Sequence, residues 1–427
     1  MLKFDAKFRS EFRDNRAALA LATVCMIFAF SAPSFSLPFL FPEVIREFGW
    51  TREQATLLAS AKYATGALAA LLIGRFIDSI GPMLALAIAS AVGGAAMVGF
   101  LWVDSLTSYY LLGMMLGFAG PGTIIAVKVL VSQRFHRSQG TAMGVALLGS
   151  SIGSMIVPVV ISALISGFGW RVGFALMSLG VWLVTLPILA LAGLAARRSA
   201  PAALGPAEAP PASGWLWKLM RRRTFWLLAA SVFLGGVVDQ AFIQHQVLIF
   251  TDLSLSREVI ALGISAMGVL GFFARVIVGN IFDRSSTRGA ASLYVLLGLA
   301  SLLALILGNP LVFAAFIVCR AVAHSGLLLE TTVITKHVFG PERLGTLLGI
   351  YTAFVTSGFA LGPWLMGWLF ELQGNYTLAF VVFFGLAIVA AGLMILIEPT
   401  YWRSLKAADE MKAGGTTSDP PLVIQRN

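Results

Sequence analysis

The sequence predicts an all-α membrane protein, with twelve transmembrane helices in two pseudo-symmetric six-helix bundles and both termini cytoplasmic. Three observations predict it: an apolar composition, apolar runs of membrane-crossing length along the whole chain, and an internal repeat at one fixed offset. Hydrophobic residues make up 58% of the 427 positions and charged residues 12%, with a mean hydropathy of +0.87. Soluble domains carry roughly 25% charged residues, so lipid must solvate this chain. Runs of about twenty apolar residues match the hydrocarbon thickness of a bilayer. Each run must be helical, because an open strand cannot satisfy its backbone in lipid.

The first six spans lie near 17–42, 54–76, 83–103, 107–132, 140–166 and 173–195. The second six lie near 224–250, 258–281, 289–308, 311–335, 345–370 and 377–398. The first run follows Lys3, Lys7, Arg9, Arg13 and Arg16 in the manner of a signal peptide. It is longer than the roughly 7–15 residues of a cleavable core and is read as a retained span. The domain division expected is 1–196 for the first bundle, 197–223 for a cytoplasmic linker, 224–402 for the second bundle, and 403–427 for a disordered cytoplasmic tail. Pro201, Pro206, Pro210 and Pro211 make the linker flexible, and Trp215, Trp217, Lys218 and Arg221–Arg222–Arg223 give it an amphipathic end suited to an anionic bilayer surface.

Sorting the Lys and Arg residues by loop sets the orientation. With both termini inside, 22 of the 30 are cytoplasmic, four lie in outer loops (Arg46, Arg52, Arg171, Arg257) and four lie within spans. Basic residues concentrate on the cytoplasmic side of membrane proteins. The net charge of +10 is therefore a topology signal, and no nucleic-acid partner is expected. Arg46, Arg52 and Arg171 are read as solvated loop residues.

The repeat is the sharpest signal. A shift of 205 residues superposes Gly74 on Gly279 and Asp78 on Asp283, then Gly140-Thr141 on Gly345-Thr346, Gly144 on Gly349, Gly153 on Gly358, and Pro158 on Pro363. Seven matches at one offset, including Asp, Thr and Pro, indicate duplication of a six-helix unit.

These residues resemble the major facilitator superfamily over the whole chain, which implies its fold. Gly74-Arg-Phe-Ile-Asp78-Ser-Ile-Gly81 looks like that family's motif between helices 2 and 3, and Gly279-Asn-Ile-Phe-Asp283-Arg284 like its copy between helices 8 and 9. The resemblance implies a gating role for Gly74, Asp78, Gly279, Asp283 and Arg284. Pro82 and Met83 stand where the motif's usual basic residues would be, which implies a weaker latch. Phe48-Gly49-Trp50-Thr51-Arg52, Gly81-Pro82 and Gly169-Trp170-Arg171 resemble the monocarboxylate transporter branch, including its bacterial members and the oxalate antiporters. Ala274-Arg275 resembles that branch's substrate-binding arginine. Gly271 replaces its aspartate four residues earlier, and Ser34 is the nearest residue to its helix 1 lysine.

Charge inside a bilayer is costly, so each intramembrane ionisable residue is a functional candidate. The set is Lys62, Lys128, Asp239, His245, Arg275, Arg320, His324 and Glu330. Its basic residues outnumber its acids by two, and a low-dielectric cavity with that surplus attracts anions. Substrate binding is assigned to Arg275, Lys62 and Arg320, because a guanidinium can clamp a carboxylate with two parallel bonds. Arg275 could instead form a structural ion pair with Glu330.

Proton coupling is assigned to Asp239, Glu330, His245 or His324. Burial raises a carboxylate pKa while a neighbouring arginine lowers it, and histidines can also simply bridge helices. Asp239 lies 16 residues after Arg223, and Arg320 lies 16 before Lys336. Both therefore sit roughly 24 Å along their helices and could pair, permanently or in alternation. Lys128 is read as snorkelling to the interface. Gly113, Gly117, Gly149 and Gly153 suit close helix packing. Pro33, Pro38, Pro42 and Gly120-Pro121-Gly122 suggest bent or interrupted helices.

No phosphate-loop motif, nucleophile–base set or metal-ligand spacing is discernible, and Cys25 and Cys319 lie in apolar runs. No cofactor and no metal is expected, and the chain is not read as an enzyme. The expectation is a monomeric, multi-pass inner-membrane transporter moving a small anionic solute such as lactate or pyruvate by alternating access with a proton. Efflux of a lipophilic compound, anion exchange and solute sensing without flux are the alternatives.

Overall fold

In the computed structural model, residues 12–135, 139–196, 215–340 and 344–404 are described. Among them, all regular structure is helical. The twelve long helices are α1 (Arg16–Phe48), α2 (Arg52–Ile80), α3 (Pro82–Trp102), α4 (Leu106–Arg134), α5 (139–168), α6 (170–196), α7 (Arg223–Asp252), α8 (257–285), α9 (287–306), α10 (Pro310–Phe339), α11 (Leu344–Gln373) and α12 (Thr377–Ile395). A short helix, Trp215–Met220, precedes α7. The rest of the expected linker, 197–214, and the expected tail from 405 onward lie outside the described residues.

Local chemistry sets the breaks. Thr51 and Gln54 form a reciprocal capping box that starts α2, and Ser105 with Ser108 does the same for α4. Pro82 and Pro310 stand at the first turn of α3 and α10, where a missing N–H costs nothing. Three turn pairs repeat the duplication in the backbone. Positive φ occurs at Gly49 and Ser254, at Gly81 and Ser286, and at Gly169 and Gly374, each pair separated by the sequence repeat of 205. These three turns are kept in both halves, whereas Gly340, at φ 83°, has Phe135, at φ −124°, as its repeat partner. At two of the three, serine holds in the second half what glycine holds in the first, and Ser286 Oγ lies 3.0 Å from His337 Nδ1.

Helix packing repeats as well. A Cβ on Gly153 of α5 would strike Ser31 of α1, and one on Gly358 of α11 would strike the Phe233 carbonyl of α7. Gly117 of α4 sits against the Lys62 carbonyl of α2, and Gly122 of α4 against Ala89 of α3. Of the bend or interruption expected at Gly120-Pro121-Gly122, the interruption does not occur, and α4 runs through Pro121. Its glycines let α2 and α3 approach it closely. A π-helical turn, Met26–Ser31, stands in α1 ahead of Pro33, Pro38 and Pro42, and a second, Gly180–Thr185, in α6.

The chain divides into two compact units. The first comprises Met1–Pro211, Gln240–Val269 and Phe359–Ala379; the second comprises Ala212–Asp239, Leu270–Gly358 and Phe380–Asn427. Unit 1 thus contains α1 to α6 together with one end of α7, α8 and α11.

Candidate functional site

The intramembrane ionisable residues fall into three groups. The first, in unit 1, centres on Lys62. The close approach of α2 and α4 at Gly117 fixes the backbone of this turn. From it the Lys62 side chain reaches Ser34 of α1, with Nζ 3.3 Å from Oγ. The ammonium also lies 5.3 Å from the Tyr63 ring centre, in the range of a cation–π contact. Tyr63 packs edge-on against Phe359, and its hydroxyl lies 3.5 Å from Gln244 Nε2, which also donates to Gln240. Lys62 is 5% exposed, and among the described residues no carboxylate lies within ion-pair distance of it. Ser34, the position nearest the missing helix 1 lysine, is thus where the α2 lysine delivers its charge.

The second group, in unit 2, centres on Asp239 of α7. Its Oδ1 lies 3.0 Å from Arg320 Nη2, and its Oδ2 lies 2.8 Å from His324 Nδ1. Arg320 also donates to the Asp239 backbone carbonyl at 3.1 Å. Asp239 and Arg320 are both buried. The equal depths counted from the sequence thus correspond to a real pair, and His324 joins it one turn further along α10. Glu330, also buried, accepts a hydrogen bond from Tyr294 of α9 at 2.6 Å. A Cβ on Gly235 of α7 would collide with that tyrosine ring, so the absent side chain makes room for it. Arg275 is half-buried.

Of the third group the sequence reading named only His245 as a functional candidate. The group lies in unit 1, at the end that carries Thr51. Arg52 was expected to be solvated, and it is instead a hub. Its guanidinium grips Asp252 of α7 with two bonds, 2.8 and 2.6 Å long, donates to the Tyr376 hydroxyl at 3.0 Å, and lies 4.0 Å over the Phe370 ring. Its backbone N–H donates to Glu371. The next residue, Glu53, accepts from Trp364 Nε1 at 2.8 Å. Burial raises the Tyr376 phenol above its ordinary range, with Arg52 opposing, so the hydroxyl keeps its proton. His245 lies beneath, with Nδ1 2.9 Å from the Tyr376 oxygen and Nε2 2.9 Å from the Pro363 carbonyl. A carbonyl only accepts, so Nε2 carries the proton. Nδ1 then accepts from Tyr376.

Arg257, the residue 205 positions after Arg52, pairs with Glu43 near the end of α1, and Glu43 also takes Arg46. Arg171 likewise pairs with Glu47, which accepts from Trp170 as well. The signal that could have revealed these pairs was the presence of Glu43, Glu47 and Asp252 at the same membrane end as the outer arginines.

The gating-motif residues are distributed differently. Asp78, Asp283 and Arg284 are exposed, and Trp402 Nε1 donates to the Asp283 carbonyl at 3.0 Å. Gly74 and Gly279 each have open space where a Cβ would stand, so packing is not what selects glycine at either position.

Unit 1 thus holds the Lys62 and Arg52 groups, and unit 2 holds the Asp239 group. Sequence comparison supplies the family. The model for the Major Facilitator Superfamily matches residues 19–320 and, in a second match, 246–418. The chain belongs to the Major Facilitator Superfamily. It is a multi-pass membrane transporter, not an enzyme. Relatives include the agnestins efflux protein AgnL12 of Paecilomyces divaricatus, 26% identical over 76% of this chain and 73% of that protein. They also include monocarboxylate transporter 12-B of Danio rerio, 23% identical over 74% and 73%, and monocarboxylate transporter 11 of Homo sapiens, 27% identical over 68% and 64%. Among solved structures, the nucleoside transporter NupG superposes with a TM-score of 0.74 at 12% identity, covering 88% of this chain and 99% of that one. A bacterial homologue of the human lysosomal transporter Spinster, solved inward-facing and occupied, superposes with a TM-score of 0.68 at 15% identity, covering 96% and 98%. Both structures establish the fold of this superfamily member.

Proposed function

We propose that this chain is a secondary active transporter for a small organic anion of the monocarboxylate class, with a proton moving in the same direction. It would sit in an inner membrane with both termini cytoplasmic, as the distribution of basic residues favours. The observation that carries the reading is Lys62, an ammonium group buried beside a serine hydroxyl and an aromatic ring, with no carboxylate in ion-pair distance among the described residues. A buried charge is costly unless paired, and a carboxylate entering from solution would complete the pair. Arg320 has spent its charge on Asp239, so Lys62 and Arg275 are the substrate contacts proposed. The monocarboxylate transporters among the relatives support the same class.

In this reading, Asp239 and His324 share a site that a proton could load, since protonating the carboxylate would release Arg320 and His324 together. Glu330 is the second acid available. The gating motif residues Gly74, Asp78, Gly279, Asp283 and Arg284 keep the role that the family resemblance implies for them.

The test is uptake by purified protein in liposomes under an inward proton gradient. Labelled lactate or pyruvate should accumulate, and Lys62→Met and Arg275→Ala should each reduce the initial rate by at least about tenfold, the loss expected from about 1.4 kcal/mol of binding. Absence of gradient-driven uptake across a panel of small carboxylates would overturn the substrate class. A second reading, outward transport of a lipophilic compound, is favoured by the relative named as an efflux protein. It predicts export of such a compound from inverted vesicles with no dependence on Lys62.

A further inference from the structure

The basic turn that leads into α7 lies outside the three groups described above, and the proposed function makes no use of it. The short helix Trp215–Met220 ends in a turn at Arg221 and Arg222, and α7 begins at Arg223. Lys218, Arg221, Arg222 and Arg223 are all exposed. Among the described residues, none of the four has a carboxylate within ion-pair distance. The sequence holds no acidic residue from Trp215 to Val238, so this stretch of chain does not balance them itself.

Two exposed tryptophans flank these cations along the chain, Trp217 at 64% exposure and Trp226 at 48%. The Trp226 indole packs edge-on against Phe225 and against Phe354 of α11, with ring centres 5.3 and 6.1 Å away. Its Nε1 donates to the Met220 carbonyl at 2.8 Å, so the first turn of α7 holds the end of the short helix. The Arg222 N–H donates to the Leu219 carbonyl at 2.9 Å and the Arg221 N–H to the Trp217 carbonyl at 3.3 Å. The Arg221 guanidinium stands 5.9 Å from the Trp217 ring centre, at the edge of cation–π range. The cations therefore leave a turn whose backbone is tied at both ends.

We propose that this turn docks the headgroup of an anionic phospholipid, with Arg221 and Arg222 on the phosphate and the two indoles at the level of the glycerol. Position selects the partner. The 30 residues of α7 extend roughly 45 Å, more than the hydrocarbon core of about 30 Å, so the first turn reaches the headgroups. A guanidinium meets phosphate oxygens with two parallel bonds, and tryptophan favours the membrane–water interface. Four basic residues beside a membrane span are the footprint of anionic lipid binding. Docking also bears on the transport path. Because α7 is unbroken from Arg223 to Asp252, a headgroup held at its start fixes the depth of Asp239, 16 residues further on. The proposal is independent of which solute the chain moves.

The test uses the full chain in a neutral detergent, with palmitoyl-oleoyl phosphatidylglycerol and palmitoyl-oleoyl phosphatidylcholine as probes. Native mass spectrometry at rising lipid concentration gives an apparent Kd for each. Wild type should bind the phosphatidylglycerol at least about tenfold more tightly than the phosphatidylcholine. Arg221→Gln with Arg222→Gln should abolish that preference while leaving phosphatidylcholine binding unchanged, which also shows that the variant is folded. Arg288→Gln with Lys336→Gln removes the same charge from two other exposed positions and should leave the preference intact. Trp226→Phe keeps a ring but loses the bond to Met220, and should weaken phosphatidylglycerol binding alone. Inorganic phosphate in large excess should not displace the lipid, since it has nothing to offer the indoles. Equal affinity of wild type for the two lipids overturns the proposal. So do equal losses in the two double variants, which would make net charge the cause, and displacement by phosphate, which would make the turn a plain anion site.

Discussion

Lys62 and Arg320 are both buried cations, and they differ in what faces them. Arg320 meets the Asp239 carboxylate at 3.0 Å, while Lys62 meets the Ser34 hydroxyl at 3.3 Å. Removing one partner of a buried pair strands the other charge, which costs about 3–5 kcal/mol, whereas replacing both with apolar groups is often neutral or better. Asp239→Asn should therefore lower the melting temperature sharply, and Asp239→Asn combined with Arg320→Met should recover most of that loss. Equal losses for the single and double variants would mean that the pair is not the source. Lys62 should behave in the opposite sense. Lys62→Met removes an uncompensated charge while keeping the length of the side chain, so the substrate-free protein should melt higher than wild type. Functional residues are commonly held at a cost to stability, and an anion that raises the melting temperature of wild type should fail to do so for Lys62→Met.

At the scale of helices, the duplication predicts which glycines matter. Gly153 and Gly358 are repeat partners and each meets a neighbouring helix, while Gly349 has open space. A Cβ at Gly358 would press on the Phe233 backbone carbonyl, which cannot swing away as a side chain would. Gly358→Ala and Gly153→Ala should each destabilise by about 1–3 kcal/mol, the usual cost of overpacking, and Gly349→Ala should be neutral or slightly stabilising, as alanine favours helix. Thermal melts of the three variants in one detergent decide it. These elements were legible in the sequence because their signals are local or periodic: apolar runs and matches at a constant offset. The Asp239–Arg320 pair was legible too, through equal residue counts along two helices. The Arg52 hub was not. Its carboxylate partner is 200 residues away, and a charged residue at the edge of a span looks the same in sequence whether water or another helix covers it. Tyr294 was hidden for a similar reason, since its role depends on the missing side chain at Gly235.

At the scale of the molecule, the repeat places two clamps at the same end of unit 1. Arg52 at the start of α2 holds Asp252 at the end of α7, and Arg257 at the start of α8 holds Glu43 near the end of α1. The arginines are 205 residues apart, so each half contributes the same basic position and grips the other half's first helix. Two clamps acting on one closed–open equilibrium must add their free energies, because opening releases both, and they share no partner. If each contributes about 1.4 kcal/mol, each raises the closed-to-open ratio about tenfold. Ser36 of α1, fully buried, gives a readout: in a background without native cysteines, Ser36→Cys should react with a maleimide only in the open state. Arg52→Gln and Arg257→Gln should each speed that labelling about tenfold, and the two together about a hundredfold. A double variant no faster than either single would show that one clamp alone holds this end closed, and that the other arginine is conserved in the repeat geometry without bearing load.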